Sequence, residues 1–377
     1  IIDGIDLVVY TAAIHPDNPE YACALEKGLP MMSRADLLGQ MMKNYSMPIA
    51  VSGTHRKTTT TSMASQMLLE GGFDPTITVG GILPSIGGNL RLGHSGTFIT
   101  EACEYTNSFL SFFPKISIIL NMDADHLDFF KDIDDIRHSF RLFAEKLPAD
   151  GTLIINADTP CWEDVARDLP CQVITYGLEH PADYTAADIT WDSLGHPTFT
   201  CLAGGKSLGS FSLKVPGLHN VSNALSVIAL GQKLGMETDA IRRGILDFTG
   251  TDRRFQYNSK VGDVTVIDDY AHHPTEIRAT LTSAKNYPHK TIWCVFQPHT
   301  YTRTKALMDD FARALSLADH VVLADIYAAR ETDTLGISSG DLMERIRKLG
   351  TPCEYFPTFD EIENYLLEHC EPGDLLI

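Results

Sequence analysis

The sequence predicts an α/β protein of more than one domain, and three observations carry that prediction. Short apolar runs alternate with helix-period segments along most of the chain, the pattern of largely parallel sheets wrapped by helices. The stretch from Pro48 to Thr61, P-I-A-V-S-G-T-H-R-K-T-T-T-T, places a strand, a tight loop and a helix start in immediate succession. At 377 residues the chain also exceeds the roughly 250 to 300 residues at which a single core stops growing, which implies two or three domains.

Taken in order, residues 5–10 (I-D-L-V-V-Y) read as a buried strand, and 18–27 and 34–44 as helices with Pro30 between them. The phosphate-loop unit begins at Pro48, its helix running from Lys57 to about Glu70, and the glycine-rich V-G-G-I-L-P-S-I-G-G-N-L-R-L-G follows at 79–93. Strands are expected at 97–100, 116–120 and 152–155, with a helix over 135–147 that sets Phe140, Phe143 and Leu147 at helical spacing. Two alternating runs over 198–214 meet at Gly204-Gly205, a hairpin signal. Helices over 219–234 and 238–248 lead into the linker F-T-G-T-D-R-R-F at 248–255. Strands at 263–268, 291–296 and 320–325 then alternate with helices at 274–286, 304–317 and 339–349, a doubly wound pattern. No internal repeat or low-complexity segment interrupts this order. The chain opens on Ile1-Ile2-Asp3 without Met and stops at Leu375-Leu376-Ile377, where a strand has just begun, so it reads as a fragment or a trimmed chain.

Composition narrows the function. Hydrophobic residues at 44% and charged residues at 21% are ordinary for a globular protein. A net charge of −19 without a basic stripe argues against nucleic acid or an anionic membrane surface as the main partner. No apolar run reaches the ~18 residues of a membrane span and no signal peptide opens the chain, so the expected location is the cytoplasm. The eight cysteines show no C-x-x-C, which points to buried thiols rather than zinc or disulfides. Nothing in the sequence speaks to oligomeric state.

The loop at 53–59 is the first candidate site. Helix-opening N–H groups lack partners within the helix and, with the positive end of the dipole, bind phosphate oxygens. Gly53, Thr54, His55 and Thr59 belong to this cradle, Lys57 supplies a cation and Thr58 a hydroxyl suited to Mg²⁺. Arg56 departs from the pattern, because a phosphate loop favours Gly before the Lys, where the backbone approaches the ligand and a positive φ is needed. The alternative is that T-H-R-K-T is a polar helix N-terminus and no more.

Three further clusters carry chemistry. Thr100-Glu101-Ala102-Cys103-Glu104-Tyr105 and Asn121-Met122-Asp123-Ala124-Asp125-His126 end two strands, where open sheets face their ligands, and Glu101 with Asp123, Asp125 or His126 offers ligands to a hard cation. The competing reading makes them solvated loop acids. In Pro216-Gly217-Leu218-His219-Asn220-Val221-Ser222-Asn223, the amides of Asn220 and Asn223 share a helix face and can read a base edge, unless Asn220 is simply a helix cap. Asp268-Asp269-Tyr270-Ala271-His272-His273-Pro274 and Gln297-Pro298-His299-Thr300-Tyr301-Thr302-Arg303 follow adjacent strands and make a candidate site for an acidic substrate, although such a His pair can also be structural.

Seven motifs, S-G-T-H-x-K-T-T-T, E-A-C-E-Y, N-M-D-A-D-H-L-D, P-G-L-H-N-V-S-N-A, D-R-R-F, D-D-Y-A-H-H-P-T-E-I and F-Q-P-H-T-Y-T-R-T, occur in this order over almost the whole chain. Together they resemble the Mur ligase family. The resemblance implies three domains: 1–47 as the remainder of a Rossmann-like UDP-sugar-binding domain, 48–250 as a central P-loop-type ATPase domain, and 251–377 as an incomplete C-terminal Rossmann-like domain that brings the amino acid. The family's opening glycine-rich UDP-binding loop is absent.

The pairing of D-D-Y-A-H-H-P with Q-P-H-x-Y-T-R resembles the family members that join L-alanine to UDP-N-acetylmuramate. The resemblance implies that ATP phosphorylates the muramoyl carboxylate and that the L-alanine amine attacks the acyl phosphate, releasing ADP and phosphate. A carboxylate is a poor electrophile until it has a leaving group, and the developing charge needs cations around it. Carried over residue by residue, Lys57 holds the β- and γ-phosphates, and Thr58, Glu101 and His126 bind Mg²⁺. Asn220 and Asn223 contact adenine, Arg254 a phosphate and Asp269 the ribose. Tyr270 and His272 lie near the incoming amino acid, and Arg303 pairs with the substrate carboxylate or acyl phosphate. The family has Gly where this chain has Arg56, so weaker ATP binding or turnover is expected. Two other readings stand beside this one: a Mur-type ligase that recycles murein tripeptide, differing in the loops near 270 and 330, and a non-catalytic nucleotide-binding protein impaired by Arg56.

Overall fold

The structure, a computed structural model, describes residues 4–12, 14, 16–126, 129–329, 331 and 335–377. Three sheets run along it in chain order: a parallel pair, a ten-stranded sheet and a six-stranded sheet.

The ten-stranded sheet has the order Lys206–Ser212, Pro197–Ala203, Tyr184–Trp191, Gln172–Tyr176, Thr152–Asn156, Ile116–Ile119, Met47–Ser52, Thr97–Ala102, Thr76–Leu83, Gly88–Arg91. Its middle is parallel, and antiparallel pairs close both edges. Met47–Ser52 lies inside it and is buried on both faces, which is why it reads as a continuous apolar run. Alternation sends Ile49 and Val51 into a core with Met63, Met67, Leu225 and Ile228 of the helices Lys57–Glu70 and Leu218–Lys233. Ala50 faces the opposite core, where Phe109, Phe140 and Phe143 pack. With helices held on both faces, the C-terminal ends of Met47–Ser52, Thr97–Ala102 and Ile116–Ile119 open side by side at one edge.

The six-stranded sheet runs Gln256–Val261, Val264–Asp268, Leu375–Leu376, Ile292–Phe296, His320–Leu323, Cys353–Tyr355, parallel except for its first pair. The short strand Leu375–Leu376 separates the two strands whose following loops carry Asp269 to His273 and Gln297 to Arg303.

Several expectations are corrected. The strand expected at 5–10 is limited to Val8–Tyr10 and is not buried: among the described residues it pairs only with Met31–Ser33, and Leu7 and Val9 are 42% and 43% exposed. The helix expected over 304–317 is two helices, Tyr301–Ala306 and Met308–Leu315, interrupted at Leu307 with φ −114°. Of the cysteines, all free, Cys171, Cys201, Cys294 and Cys353 are buried, whereas Cys103 and Cys161 are exposed. The helix Lys57–Glu70 and the Gly204-Gly205 hairpin lie where the sequence placed them. Among the described residues no helix is long and apolar enough to cross a membrane.

Candidate active site

The phosphate loop is held from below by the strand end at Asn121–Asp123. Asn121 clamps His55 from both sides, its Oδ1 accepting from the His55 N–H at 2.8 Å and its amide donating to the His55 carbonyl at 3.2 Å. Thr54 donates its N–H to the Asn121 carbonyl, and its hydroxyl accepts from the Asp123 N–H at 2.9 Å. Gly53 has φ 145°, and a Cβ there would stand 2.9 Å from Leu120 Cβ, so only glycine lets the loop lie this close. Arg56 is the N-cap of the following helix at φ 68° and ψ 12°, in the left-handed region that the glycine preference foresaw. Thr58 and Thr59 open the first turn behind it and are buried.

Lys57 folds back over the loop, with Nζ on the Gly53 and Thr54 carbonyls at 2.6 and 3.1 Å and on Glu104 Oε2 at 2.9 Å. Burial acts against its charge, but the Glu104 carboxylate overrides it and raises the lysine pKa. Thr58 donates to Glu101 Oε2 at 3.0 Å, and Glu101 Oε1 accepts the Gly80 N–H. This explains part of the glycine-rich run. A Cβ on Gly80 would meet the Glu101 carboxylate at 3.0 Å, and one on Gly81 would meet Thr251 and Thr58 at 2.8 and 3.1 Å.

His126 lies in the left-handed region at φ 53°, its ring against Tyr105 at 4.5 Å and its Nε2 3.8 Å from Glu104 and 3.9 Å from Asp125. Burial drives its pKa down despite the two carboxylates, with Arg303 and Lys57 adding to the effect. Leu127 and Asp128 of the same motif lie outside the described residues. No group of three His, Cys, Asp or Glu side chains among the described residues is set to hold a metal. The donor set nevertheless suits Mg²⁺: Glu101 and the Thr58 hydroxyl offer hard oxygens, and the buried Glu104 Oε1 has no hydrogen-bond partner.

The C-terminal sheet closes the site from the other side. Arg303 Nε pairs with Asp125 Oδ1 at 3.2 Å and its Nη1 meets His299 Nδ1 at 3.1 Å, so part of the fork expected to grip substrate is engaged by the protein itself. Burial opposes ionisation of Asp125, but His126 and Arg303 hold its carboxyl well below the usual range. Arg303, Tyr270, His272 and His126 line one cavity of about 690 Å³, within the ~300 to 1,000 Å³ of ligand sites. Tyr270 is 52% exposed there. His272 meets the Tyr270 carbonyl through Nδ1 at 2.9 Å.

A second, narrow pocket of about 50 Å³ gathers Arg56, Thr59, His219, Asn220, Arg254 and Asp269, and shares Arg254 with an adjoining cavity of about 400 Å³. Here the capping alternative for Asn220 is set aside, and the two amides are placed one behind the other. Asn220 is not a cap, because the helix is capped by Gly217, and its amide instead donates to the Pro216 carbonyl at 2.7 Å while its Oδ1 accepts from Asn223. Asn223 is buried behind it and does not line the pocket. Asp269 pins the linker, Oδ2 accepting from the Phe255 N–H and Oδ1 from the Ala271 N–H, and burial pushes its carboxyl up to about 6. The Arg254 guanidinium stands 5.5 Å over the Tyr270 ring.

Three residues with strong contacts, Asn121, Glu104 and Glu276, carry no role in the sequence reading. Asn121 and Glu104 lie within motifs, yet the side-chain amide that clamps a loop 66 residues away has no local signature. Glu276, in the first turn after His273-Pro274, reads locally as a helix-start acid but reaches across to His55.

Models of the Mur ligase family catalytic domain, the Mur ligase middle domain and the Mur ligase glutamate ligase domain match residues 2–46, 51–231 and 253–377. A protein of Lachnospira eligens named UDP-N-acetylmuramate--L-alanine ligase is 60% identical over 379 residues, covering 100% of this chain and 82% of its own. The chain belongs to the Mur ligase family. Among solved structures, a UDP-N-acetylmuramate-alanine ligase from Thermotoga maritima matches with TM-score 0.83 at 29% identity, over 98% of this chain and 80% of that one. A murein peptide ligase from Psychrobacter arcticus matches with TM-score 0.72 at 26% identity, over 98% and 82%. In Mur ligase terms, the phosphate loop and the Glu101, Glu104 and His126 cluster fall to the middle-domain match, apart from the Asp269 to His273 and Arg303 loops of the last match.

Proposed function

We propose that this Mur ligase joins L-alanine to the carboxylate of UDP-N-acetylmuramate with hydrolysis of ATP, as a cytoplasmic step of peptidoglycan biosynthesis. Supporting the reading is one spatial observation: the phosphate loop with Lys57 and the cavity holding His272 and Arg303 face each other across a seam bridged by Asp125 and Arg303. We assign 1–47 to the UDP-sugar domain, 48–250 to the ATP-binding domain and 251–377 to the amino-acid domain.

In this mechanism the loop amides and Lys57 hold the phosphates, with Gly53, Thr54, His55 and Thr59 shaping the cradle. Asn220, in front of Asn223, Arg254 and Asp269 border the nucleotide pocket. Thr58, Glu101 and His126 would hold Mg²⁺, which supplies charge neutralisation on the phosphate oxygens when bound. The muramoyl carboxylate oxygen attacks the terminal phosphorus and ADP leaves. The neutral alanine amine, its ammonium proton given up to water, then attacks the acyl carbon, and the C–N bond forms as phosphate departs and the second amine proton passes to water. Arg303 offers a guanidinium edge to the negative charge, since a planar fork suits carboxylate and phosphoryl oxygens. Tyr270 and His272 flank the incoming amine in the large cavity.

The test is ADP release from ATP and UDP-N-acetylmuramate with L-alanine, with L-alanyl-γ-D-glutamyl-meso-diaminopimelate, or with no acceptor. Release that depends on L-alanine supports the reading. Release only with the tripeptide replaces it with a recycling ligase, and ATP binding without release makes the chain a nucleotide-binding protein.

A further inference from the structure

His55 belongs to the phosphate loop, yet its side chain is committed elsewhere. The ring is 3% exposed, its Nε2 lies 3.2 Å from Asp123 Oδ2, off the line of a good hydrogen bond, and its Nδ1 lies 3.4 Å from Glu276 Oε1. Glu276 comes from the helix Pro274–Ala284, on the other side of the seam. The second oxygen of the same carboxylate, Oε2, accepts the His272 N–H at 3.0 Å and lies 3.4 Å from His272 Nδ1. One carboxylate therefore touches a phosphate-loop side chain with one oxygen and the backbone and ring of His272, at the edge of the large cavity, with the other.

We propose that Glu276 is a positioning residue that couples the phosphate loop to the acceptor side of the site, by holding His55 through Oε1 and His272 through Oε2. A carboxylate has two lone-pair-bearing oxygens and can satisfy two partners at once, which is what a relay between two domains requires. His55 and Glu276 are both shielded, with side-chain exposures of 3% and 10%, so water and salt screen the contact less than they would a surface ion pair. Asn121 fixes the His55 backbone, so a change at the His55 ring has little freedom to dissipate within the loop and is passed to Glu276. The His273 ring packs against the same ring at 4.5 Å, tilted by 38°.

The inference rests on the ligase reading and deepens it. Two readouts keep the failures apart. The first is kinetic: Glu276→Gln removes the charge at nearly constant volume, and His55→Asn removes the partner on the opposite domain. Each is expected to raise KM for L-alanine by about tenfold, and the double variant to be no worse than either single, because contacting residues in one network are non-additive. Glu276→Asp, which keeps the charge and shortens the reach, is expected to fall between wild type and Glu276→Gln. A merely structural role would lower the melting temperature and the active fraction with KM unchanged. The second readout needs no turnover: the ring proton resonances of His272 in the substrate-free protein, assigned with His272→Gln, are expected to shift in His55→Asn as they do in Glu276→Gln. The proposal is overturned if His55→Asn leaves the alanine KM and the His272 resonances unmoved, or if the two single effects multiply in the double variant. If wild type releases no ADP with L-alanine while the His272 resonances still respond to His55→Asn, the ligase reading fails and the relay stands.

Discussion

Asp125 and Arg303 meet at 3.2 Å with side-chain exposures of 5% and 12%, which makes them a shielded ion pair between the loops of two different sheets. Breaking such a pair from one side leaves the other charge desolvated and alone. Asp125→Ala is therefore expected to destabilise the protein by about 3 kcal/mol or more, measured by urea denaturation. Asp125→Ala combined with Arg303→Met should recover much of that loss, since removing both charges removes the desolvation cost. A double variant weaker than Asp125→Ala by the full Arg303→Met effect would show that the pair does not bind the two sheets together.

Arg56→Gly is expected to tighten ATP binding and to raise stability by about 1 kcal/mol. A side chain at φ 68° costs free energy that glycine does not. Removal of the guanidinium also widens the narrow pocket that Arg56 lines with Asn220 and Asp269. Calorimetric titration of ATP with Mg²⁺ into both proteins, beside their denaturation curves, separates the two effects. Equal ATP affinity would mean that the pocket accommodates the arginine.

Lys57→Met is expected to lower ADP release by at least about 10²-fold, the scale for loss of one group aimed at developing charge. The same substitution leaves Glu104, 2% exposed at its side chain, without its cation. Lys57→Met with Glu104→Gln should restore stability without restoring turnover.

Glu101→Gln is expected to raise the Mg²⁺ concentration needed for half-maximal ADP release by about tenfold, while Glu101→Ala also strips the Thr58 hydroxyl and the Gly80 N–H of their shared acceptor. A Mg²⁺ titration of both variants checks this, and an unchanged requirement would remove Glu101 from the metal assignment.

The pH dependence of stability has a defined sign at His55. Burial lowers its proton affinity, but Asp123 and Glu276 more than compensate and raise its pKa from 6.5 to about 9. The folded state binds this proton more tightly than the unfolded chain. Its stabilisation is thus complete below about pH 6.5 and disappears as the pH rises through about 9. The melting temperature of wild type minus that of His55→Asn should shrink between those values by about 5 °C. A difference that is flat or grows with pH would show His55 to be neutral in the fold.

Much of the fold was legible because its signals are local. The helix opens at Lys57 after a loop glycine and ends at Glu70 before Gly71-Gly72, the second of which lies at φ 72°, and Gly204-Gly205 turns the hairpin by the same local logic. What was not legible depends on partners distant in sequence. Val8–Tyr10 has the apolar residues of a buried strand, but exposure depends on what lies over it. The break at Leu307 splits a helix that periodicity joins. In the site, the loop lysine and the motif acids could be placed from their spacing, whereas Asn121 bonding His55 and Glu276 bridging His55 to His272 require three strand ends to be brought together first.

The insertion of Leu375–Leu376 between Val264–Asp268 and Ile292–Phe296 makes the spacing of the loops after those strands a long-range property of the chain. Those two earlier strands have no direct pairing with each other, and the bond from Trp293 to Asp374 spans 81 residues. The loops bearing Asp269 to His273 and Gln297 to Arg303 are held one strand apart by this insertion. The strands of the middle sheet are complete by Ser212, and the helices Leu218–Lys233 and Thr238–Leu246 that follow supply part of the core beneath the Lys57 loop. The loops at Asp269 to His273 and Gln297 to Arg303 thus owe their spacing to a segment drawn in from far along the chain, a non-local contact of the kind that forms late in folding because its loop-closure cost comes first.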